Sequence, residues 1–152
     1  MCVCDFSCHI FSLFLLVRMQ GTLTCAFACK RTEYGTANRI STKGDVYSYG
    51  MLILEMFTGK RPTDDIFGED MNLRKYVETN FPERVLNVAD ARLLSWEVNG
   101  PDDAARVLEC ISSLLRIGLL CSSELSACRP EMRDVIRNLR EIREHHEFLL
   151  LA

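Results

Sequence analysis

Cysteine is missing from the whole stretch between residues 30 and 109, although the sequence holds eight cysteines in all. Five of them fall within the first 29 residues, and the other three are Cys110, Cys121 and Cys128. A disulfide framework in a small secreted protein would tie the entire fold together, which this distribution cannot do. The pattern therefore favours free thiols in a reducing compartment.

Long apolar runs and a basic excess are also missing. A membrane-spanning helix needs about 20 consecutive apolar residues. The apolar run from Ile10 to Val17 has only eight, and Arg18 follows it directly. Lysine and arginine number 18 against 21 aspartates and glutamates, for a formal net charge of −3. A basic face is the usual mark of a nucleic-acid-binding domain. The composition thus argues against a membrane span and against nucleic acid as a partner.

The first 32 residues differ in character from the rest, and we interpret them as a leader unrelated to the domain that follows. Asp5, Arg18 and Lys30 are the only charges in residues 1–30. A secretory signal is the alternative, with the sequence Ala-Phe-Ala at residues 26–28 as its cleavage site. Against it, the start of the chain is acidic and Arg18 interrupts the apolar segment. A small secreted or membrane-tethered protein would use this leader as its signal.

The clearest helix signal covers Thr42 to Thr58. Thr42 and Asp45 have the spacing of a capping box at the beginning of a helix. Gly59 is suited to the left-handed position after the last turn, and Pro62 follows soon afterwards. The residues between these signals are apolar nearly all round, which is typical of a helix inside a larger fold. We therefore predict a buried central helix here.

Three further helices are predicted downstream, with no alternating strand pattern of useful length. Their expected extents are residues 72–80, residues 101 to about 121–123, and residues 130 onward, with a short helical turn at residues 84–88. The inner face of the first of these is predicted to hold Leu73, Tyr76 and Val77. The inner face of the second is predicted to hold Ala104, Val107, Leu108, Ile111, Leu114, Leu115 and Leu119. The inner face of the last is predicted to hold Met132, Val135, Ile136, Leu139 and Ile142. The predicted fold class is all-α.

Two blocks of sequence resemble a known family. The first comprises Gly-Asp-Val-Tyr-Ser-Tyr-Gly at residues 44–50 and Leu-Glu-Met-Phe-Thr-Gly-Lys-Arg-Pro at residues 54–62. The second comprises Leu-Leu-Cys at residues 119–121 and Arg-Pro-Glu-Met-Arg-Asp-Val at residues 129–135. In order and spacing they resemble the C-lobe of protein kinases, and more narrowly the leucine-rich-repeat receptor-like serine/threonine kinases of plants. The resemblance implies a partial kinase domain over residues 33–147, followed by a short tail at 148–152.

The resemblance also implies structural roles for four residues. Asp45 looks like the aspartate that accepts backbone N–H groups of the family's catalytic loop, and Gly50 belongs to the same motif. Glu33 looks like the glutamate that closes the family's Ala-Pro-Glu motif, and Arg129 looks like its ion-pair partner. A solvated charge is the alternative interpretation of Glu33, because Arg31 and Thr32 replace the motif's alanine and proline.

Every segment that the family uses for chemistry is missing from the sequence. The sequence contains no Gly-rich phosphate loop, no strand lysine motif, no His-Arg-Asp and no Asp-Phe-Gly. We expect no catalytic, cofactor-binding or metal-binding residue here, although the family uses ATP and magnesium. Asp64 and Asp65 form an acidic pair that could be considered for metal binding, but we expect them to lie in a solvated loop.

Three interpretations follow for this chain. As written, it is a catalytically inactive fragment of a receptor-like kinase. It could instead belong to an active kinase whose other segments lie in a longer protein. The third interpretation is a non-catalytic binding module that docks on kinases or their substrates through an exposed face of the C-lobe. The family acts at the plasma membrane with a cytoplasmic kinase domain, so a cytoplasmic location is expected for the chain alone.

Overall fold

The computed structural model describes residues 42–68, 70–94 and 101–150, with side chains up to residue 145. These ranges are helical and contain no strand, as the sequence predicted. The elements are α1 (Thr42–Thr58), α2 (Leu73–Asn80), α3 (Val85–Val88), α4 (Ala91–Leu94), α5 (Pro101–Cys121), a 3-10 turn (Ser126–Cys128) and α6 (Met132–Leu150). The fold therefore has the predicted central helix, the three predicted partners and two short helices.

Helix α1 ends as the sequence predicted. Gly59 follows the last turn with a φ of 71°, and its N–H donates to the Glu55 carbonyl at 3.0 Å. This is the left-handed termination that glycine adopts without steric cost. At the other end the structure differs, because Thr42 is already helical instead of preceding the helix. The capping box predicted for Thr42 and Asp45 required Thr42 to be the residue before the first helical residue.

The core forms where α1 packs against α5. Leu54 of α1 and Leu115 of α5 are both fully buried. Burying an aliphatic side chain of this kind stabilises a fold by roughly 1.5–3 kcal/mol. Glu55 is also buried, at 4% exposure, a feature that the apolar pattern of α1 did not predict. Burial on most sides of α1 confirms that it is the central helix.

Helix α2 begins with a side-chain cap. Asn72 accepts the Lys75 N–H on its side-chain oxygen at 2.8 Å, which satisfies one of the unpaired donors of the first turn. Leu73 and Val77 are fully buried, as predicted for the inner face. Tyr76, also predicted to face inward, is half-buried, and its hydroxyl donates to the Asn87 carbonyl at 3.0 Å.

The predicted turn of helix near residue 88 is α3, but α4 was not predicted. Helix α4 begins after Asp90, whose side chain accepts the Arg92 N–H at 3.0 Å. The Asp90 N–H in turn donates to the Phe57 carbonyl near the end of α1, at 2.9 Å. The Asp90 cap is a local signal for the start of α4 that sequence reasoning missed, and the bond to Phe57 adds a contact with a distant part of the chain.

Helix α6 is amphipathic, with one correction to its predicted inner face. Val135 is buried, and Met132, Leu139 and Ile142 pack against the cluster around it. Ile136, predicted to lie with them, is 43% exposed. The α6 arginines are exposed, as expected of a solvated face: Arg133, Arg137, Arg140 and Arg143.

Two further sequence predictions can be placed against the structure. Within the described ranges, no helix has both the length and the apolar character needed to cross a bilayer. The three cysteines in those ranges, at positions 110, 121 and 128, are free thiols. The leader at residues 1–32 and Glu33 lie outside the described residues.

Candidate functional site

Arg129 lies between α5 and α6 and is 3% exposed. Its guanidinium donates to three backbone carbonyls, at 2.8 Å to Ser123, 3.0 Å to Lys43 and 3.3 Å to Glu124. The same group lies over the ring of Tyr47, with 4.7 Å between its central carbon and the ring centroid. We call this arrangement the Arg129 anchor. It joins the first turns of α1 to the connection between α5 and α6.

A second set of contacts joins the same two segments, and here the donor lies on α1. The Lys43 ammonium donates to the Arg129 carbonyl at 2.8 Å and pairs with a Glu131 carboxylate oxygen at 2.6 Å. Lys43 and Arg129 therefore each donate from the side chain to the other's carbonyl, across 86 positions of sequence. Reciprocal bonds of this kind fix both the distance and the orientation of the two segments.

The connection that carries Arg129 is itself well defined. Ser122 ends α5 by donating its hydroxyl to the Gly118 carbonyl at 2.7 Å. The 3-10 turn follows, and the Arg129 N–H closes it by bonding the Ser126 carbonyl at 3.3 Å. The Glu131 carbonyl then accepts the N–H groups of Asp134 and Val135 in the first turn of α6, at 2.9 and 3.2 Å. Local hydrogen bonds on both sides thus present the Arg129 side chain to α1.

Asp45 lies in the first turn of α1 and is exposed. A carboxylate at this end of a helix interacts favourably with the helix dipole. Asp45 is two residues beyond Lys43, whose carbonyl accepts a hydrogen bond from the Arg129 guanidinium. Of the four residues to which the resemblance gave structural roles, Asp45, Gly50 and Arg129 lie in the described part of the chain.

Gly50 marks the closest approach of α1 and α5. A Cβ atom there would lie 2.6 Å from both Cys121 Cβ and the Ser122 backbone N, and 2.8 Å from the Gly118 carbonyl oxygen. Gly118 makes the reciprocal approach, since a Cβ there would lie 2.6 Å from the Leu54 side chain. The two glycines let the helices pack almost backbone to backbone.

The buried thiols are poor nucleophiles. Burial raises the pKa of Cys121 to about 11. Burial, with a smaller effect from the neighbouring Glu109 carboxylate, raises the pKa of Cys110 to about 11. Burial also raises the pKa of the Tyr49 hydroxyl, with Cys121 adding to the effect. A reactive cysteine requires the opposite shift, because the thiolate is the nucleophile. The structure therefore gives Cys121, which is buried in the core, a packing role, while Cys110 is only partly buried.

The acidic pair Asp64 and Asp65 does not belong to a converging set of metal-ligand side chains in the described residues. No group of three or more histidine, cysteine, aspartate or glutamate side chains comes together anywhere in residues 42–68, 70–94 and 101–145. Asp64 uses its carboxylate locally, accepting the Arg61 N–H at 2.7 Å, while Asp65 is exposed. A phosphate-bound magnesium ion needs carboxylates that converge on one point. No such convergence occurs around Asp64 and Asp65.

Sequence reasoning identified Arg129 but missed the two residues of α1 that bind it. Lys43 precedes the matched motif. Tyr47 lies within the motif, but it was treated only as one of the apolar residues of α1. A basic residue and an aromatic residue at i and i+4 lie on the same helix face, which is a signal for a shared partner. That signal becomes informative only when the partner, 86 positions away, is known.

No protein-family model matches the sequence. Individual relatives do match. The chain is 44% identical over 119 residues to the receptor kinase-like protein Xa21 of Oryza sativa subsp. japonica, which covers 74% of the chain and 11% of that protein. It is 40% identical over 114 residues to a probable LRR receptor-like serine/threonine-protein kinase of Arabidopsis thaliana, with the same coverage. It is 39% identical over 111 residues to the brassinosteroid LRR receptor kinase BRI1 of Oryza sativa subsp. japonica, covering 72% and 9%.

The chain spans about a tenth of the length of the curated relatives that it matches. These relatives share one description, that of receptor kinases, and two of the three names include leucine-rich repeats. Over about three quarters of its length, the chain is therefore homologous to the plant leucine-rich-repeat receptor-like serine/threonine kinases.

Proposed function

We propose that residues 33–147 form the C-terminal end of the C-lobe of a receptor-like serine/threonine kinase domain, with a separate leader at 1–32 and a tail at 148–152. The Arg129 anchor is the observation that carries this proposal. A buried arginine at the position that the resemblance singled out ties the beginning of the central helix to the end of the lobe. Its function is to hold the helical base together.

Glu33 extends the same proposal upstream. Arginine presents five N–H donors in a planar fork that matches a carboxylate, and a buried guanidinium is stabilised by a negative neighbour. We propose that the Glu33 carboxylate pairs with Arg129 and pins the segment before α1 to the base of the lobe. Exchanging Glu33 for glutamine should then lower the free energy of unfolding by more than exchanging an exposed glutamate such as Glu78.

Asp45 is proposed to act in the whole kinase, where a catalytic loop would meet the beginning of α1. Its exposed position in the first turn supports this role, because a carboxylate there can accept N–H groups from an adjoining loop. Phosphorylation of serine or threonine with ATP and magnesium is proposed for the longer protein only. None of the residues proposed to act here carries out a chemical step.

The 152-residue chain alone should therefore not transfer phosphate. Phosphoryl transfer depends on positioning and neutralising the γ-phosphate, and the sequence holds none of the family's segments for that task. The test incubates the purified chain with magnesium and labelled ATP, with and without a generic protein substrate. A kinase domain assembled from the full transcript serves as the active comparison. Incorporation of label by the 152-residue chain, lost in an Asp45→Asn variant, would overturn the proposed inactivity.

A docking module is the second candidate function, and exposed apolar side chains favour it. Leu125 is 68% exposed and Leu120 is 48% exposed, close together in sequence at the end of α5. A contiguous exposed apolar patch marks a surface that binds other proteins, and this candidate requires Leu120 and Leu125 to belong to one such patch. Binding of the chain to an intact receptor-kinase domain can be measured by calorimetry. Leu125→Ser should weaken that binding, whereas Ile66→Ser, at a 60% exposed position in another loop, should not. Equal effects of both variants would count against this surface.

A further inference from the structure

Lys43 makes three kinds of contact at the Arg129 anchor, and its side chain is only 26% exposed. Its ammonium donates to the Arg129 carbonyl and to the Glu131 carboxylate, while its own carbonyl accepts from the Arg129 guanidinium. Glu131 is only two positions beyond Arg129. With its two contacts, the ammonium therefore restrains the backbone segment that carries the Arg129 side chain.

The ion pair between Lys43 and Glu131 by itself would contribute little to the free energy of unfolding. Its Glu131 partner is half exposed, and pairs of that kind are weak because water and salt screen them. The hydrogen bond from the Lys43 ammonium to the Arg129 carbonyl is not isolated in this way. Together with the hydrogen bond from the Arg129 guanidinium to the Lys43 carbonyl, it forms a closed ring. Within such a ring each bond restrains the geometry of the other, and hydrogen bonds in networks strengthen one another.

We propose that Lys43 is a positioning residue for Arg129. By holding the Arg129 carbonyl, the ammonium keeps the guanidinium aligned with its three carbonyl acceptors and with the Tyr47 ring. The inference rests on the proposed function, in which Arg129 anchors the segment that carries Glu33. It adds that the beginning of α1 sets the orientation of the anchor.

The test records the side-chain Nε–H of Arg129 by nuclear magnetic resonance on the full 152-residue chain, with the signal assigned by its loss in Arg129→Lys. This proton bonds the Ser123 carbonyl, so its exchange with solvent reports the orientation of the guanidinium. Lys43→Met retains the apolar stem but removes the donors. Exchange should become about tenfold faster, the effect of losing one charged hydrogen bond. Lys43→Arg, which keeps a cationic donor, should restore slow exchange.

Glu78→Gln is the matched control, because it removes an exposed ion pair with Arg74 on α2. Unchanged exchange in Lys43→Met, or an equal change in Glu78→Gln, would overturn the inference. If Lys43→Met does not fold, Glu131→Gln removes only the carboxylate that orients the ammonium, and should speed exchange to a smaller extent. No change in that variant would also count against the inference. Glu33→Gln separates the two proposals: if it leaves the exchange unchanged while Lys43→Met speeds it, the Glu33 pairing fails and the role of Lys43 stands.

Discussion

Replacing Gly50 by alanine tests the close crossing of α1 and α5. The added Cβ would lie 2.6 Å from the Ser122 backbone N and 2.8 Å from the Gly118 carbonyl oxygen. Backbone atoms cannot rotate away as a side chain can, so the helices must separate. We take the steric cost as roughly 3 kcal/mol, at the upper end for overpacked cores. Alanine's better helix propensity returns about 1 kcal/mol. The expected net loss of unfolding free energy is about 2 kcal/mol.

The assay is urea unfolding of the full chain, followed by far-ultraviolet circular dichroism. With a slope of about 2 kcal/mol per molar urea, the midpoint of Gly50→Ala should fall by about 1 M. Gly118→Ala should cost less, since its closest neighbour is the tip of the Leu54 side chain. Gly68→Ala is the control, because no atom lies within 4 Å of the added carbon. A Gly50→Ala midpoint equal to that of the wild type would refute the backbone-to-backbone crossing.

Three further predictions concern caps, the anchor and pH. Asn72→Ala should lower the free energy of unfolding by about 1 kcal/mol through loss of the α2 cap, and Asn72→Asp should retain most of it, as measured by thermal unfolding. Arg129→Met should cost about 3 kcal/mol in urea unfolding, because three partly buried carbonyls lose their charged donor. Arg129→Lys should recover only part of that loss, because a single ammonium cannot reach all three carbonyls. Stability should also fall as pH rises from about 9 to about 11. In that range the unfolded chain has lost thiol protons that the folded chain retains, since the pKa of both Cys110 and Cys121 is about 11 when folded. The slope should approach 1.4 kcal/mol per pH unit for each thiol, and Cys121→Ala should reduce it; a stability unchanged across this range would contradict the role of burial.

Elements with strong local signals were predictable from the sequence. Helix α1 ends where Gly59 allows a left-handed residue, and α5 begins at Pro101, where a proline costs no hydrogen bond. Helix α4 was missed, although Asp90 is a local cap, because its four residues are too few to show a helical period. The exposure of Ile136 was missed for a different reason. Periodicity identifies an apolar face, but the width of the buried part depends on the partner helix.

The candidate site was predictable only in part. Arg129 was identified by resemblance, and its burial and three carbonyl acceptors agree with an anchoring role. The burial of Glu55 was not predicted, because a single charge inside an apolar run is usually assigned to an exposed edge. Lys43 and Tyr47 were missed because their partner lies far away in the sequence. Contacts of this range leave no local pattern.

The distance between Lys43 and Arg129 has a consequence for the order in which the protein forms during synthesis. The two residues lie 86 positions apart, and α1 leaves the ribosome first. At about 5–20 residues per second, α1 waits roughly 4–17 seconds before Arg129 has been added to the chain. For most of that interval its apolar sides lack α5, which is added only shortly before Arg129. A chaperone that binds nascent chains would therefore find its best target in the central helix, and would be displaced when α5 packs against it and the arginine joins the two segments.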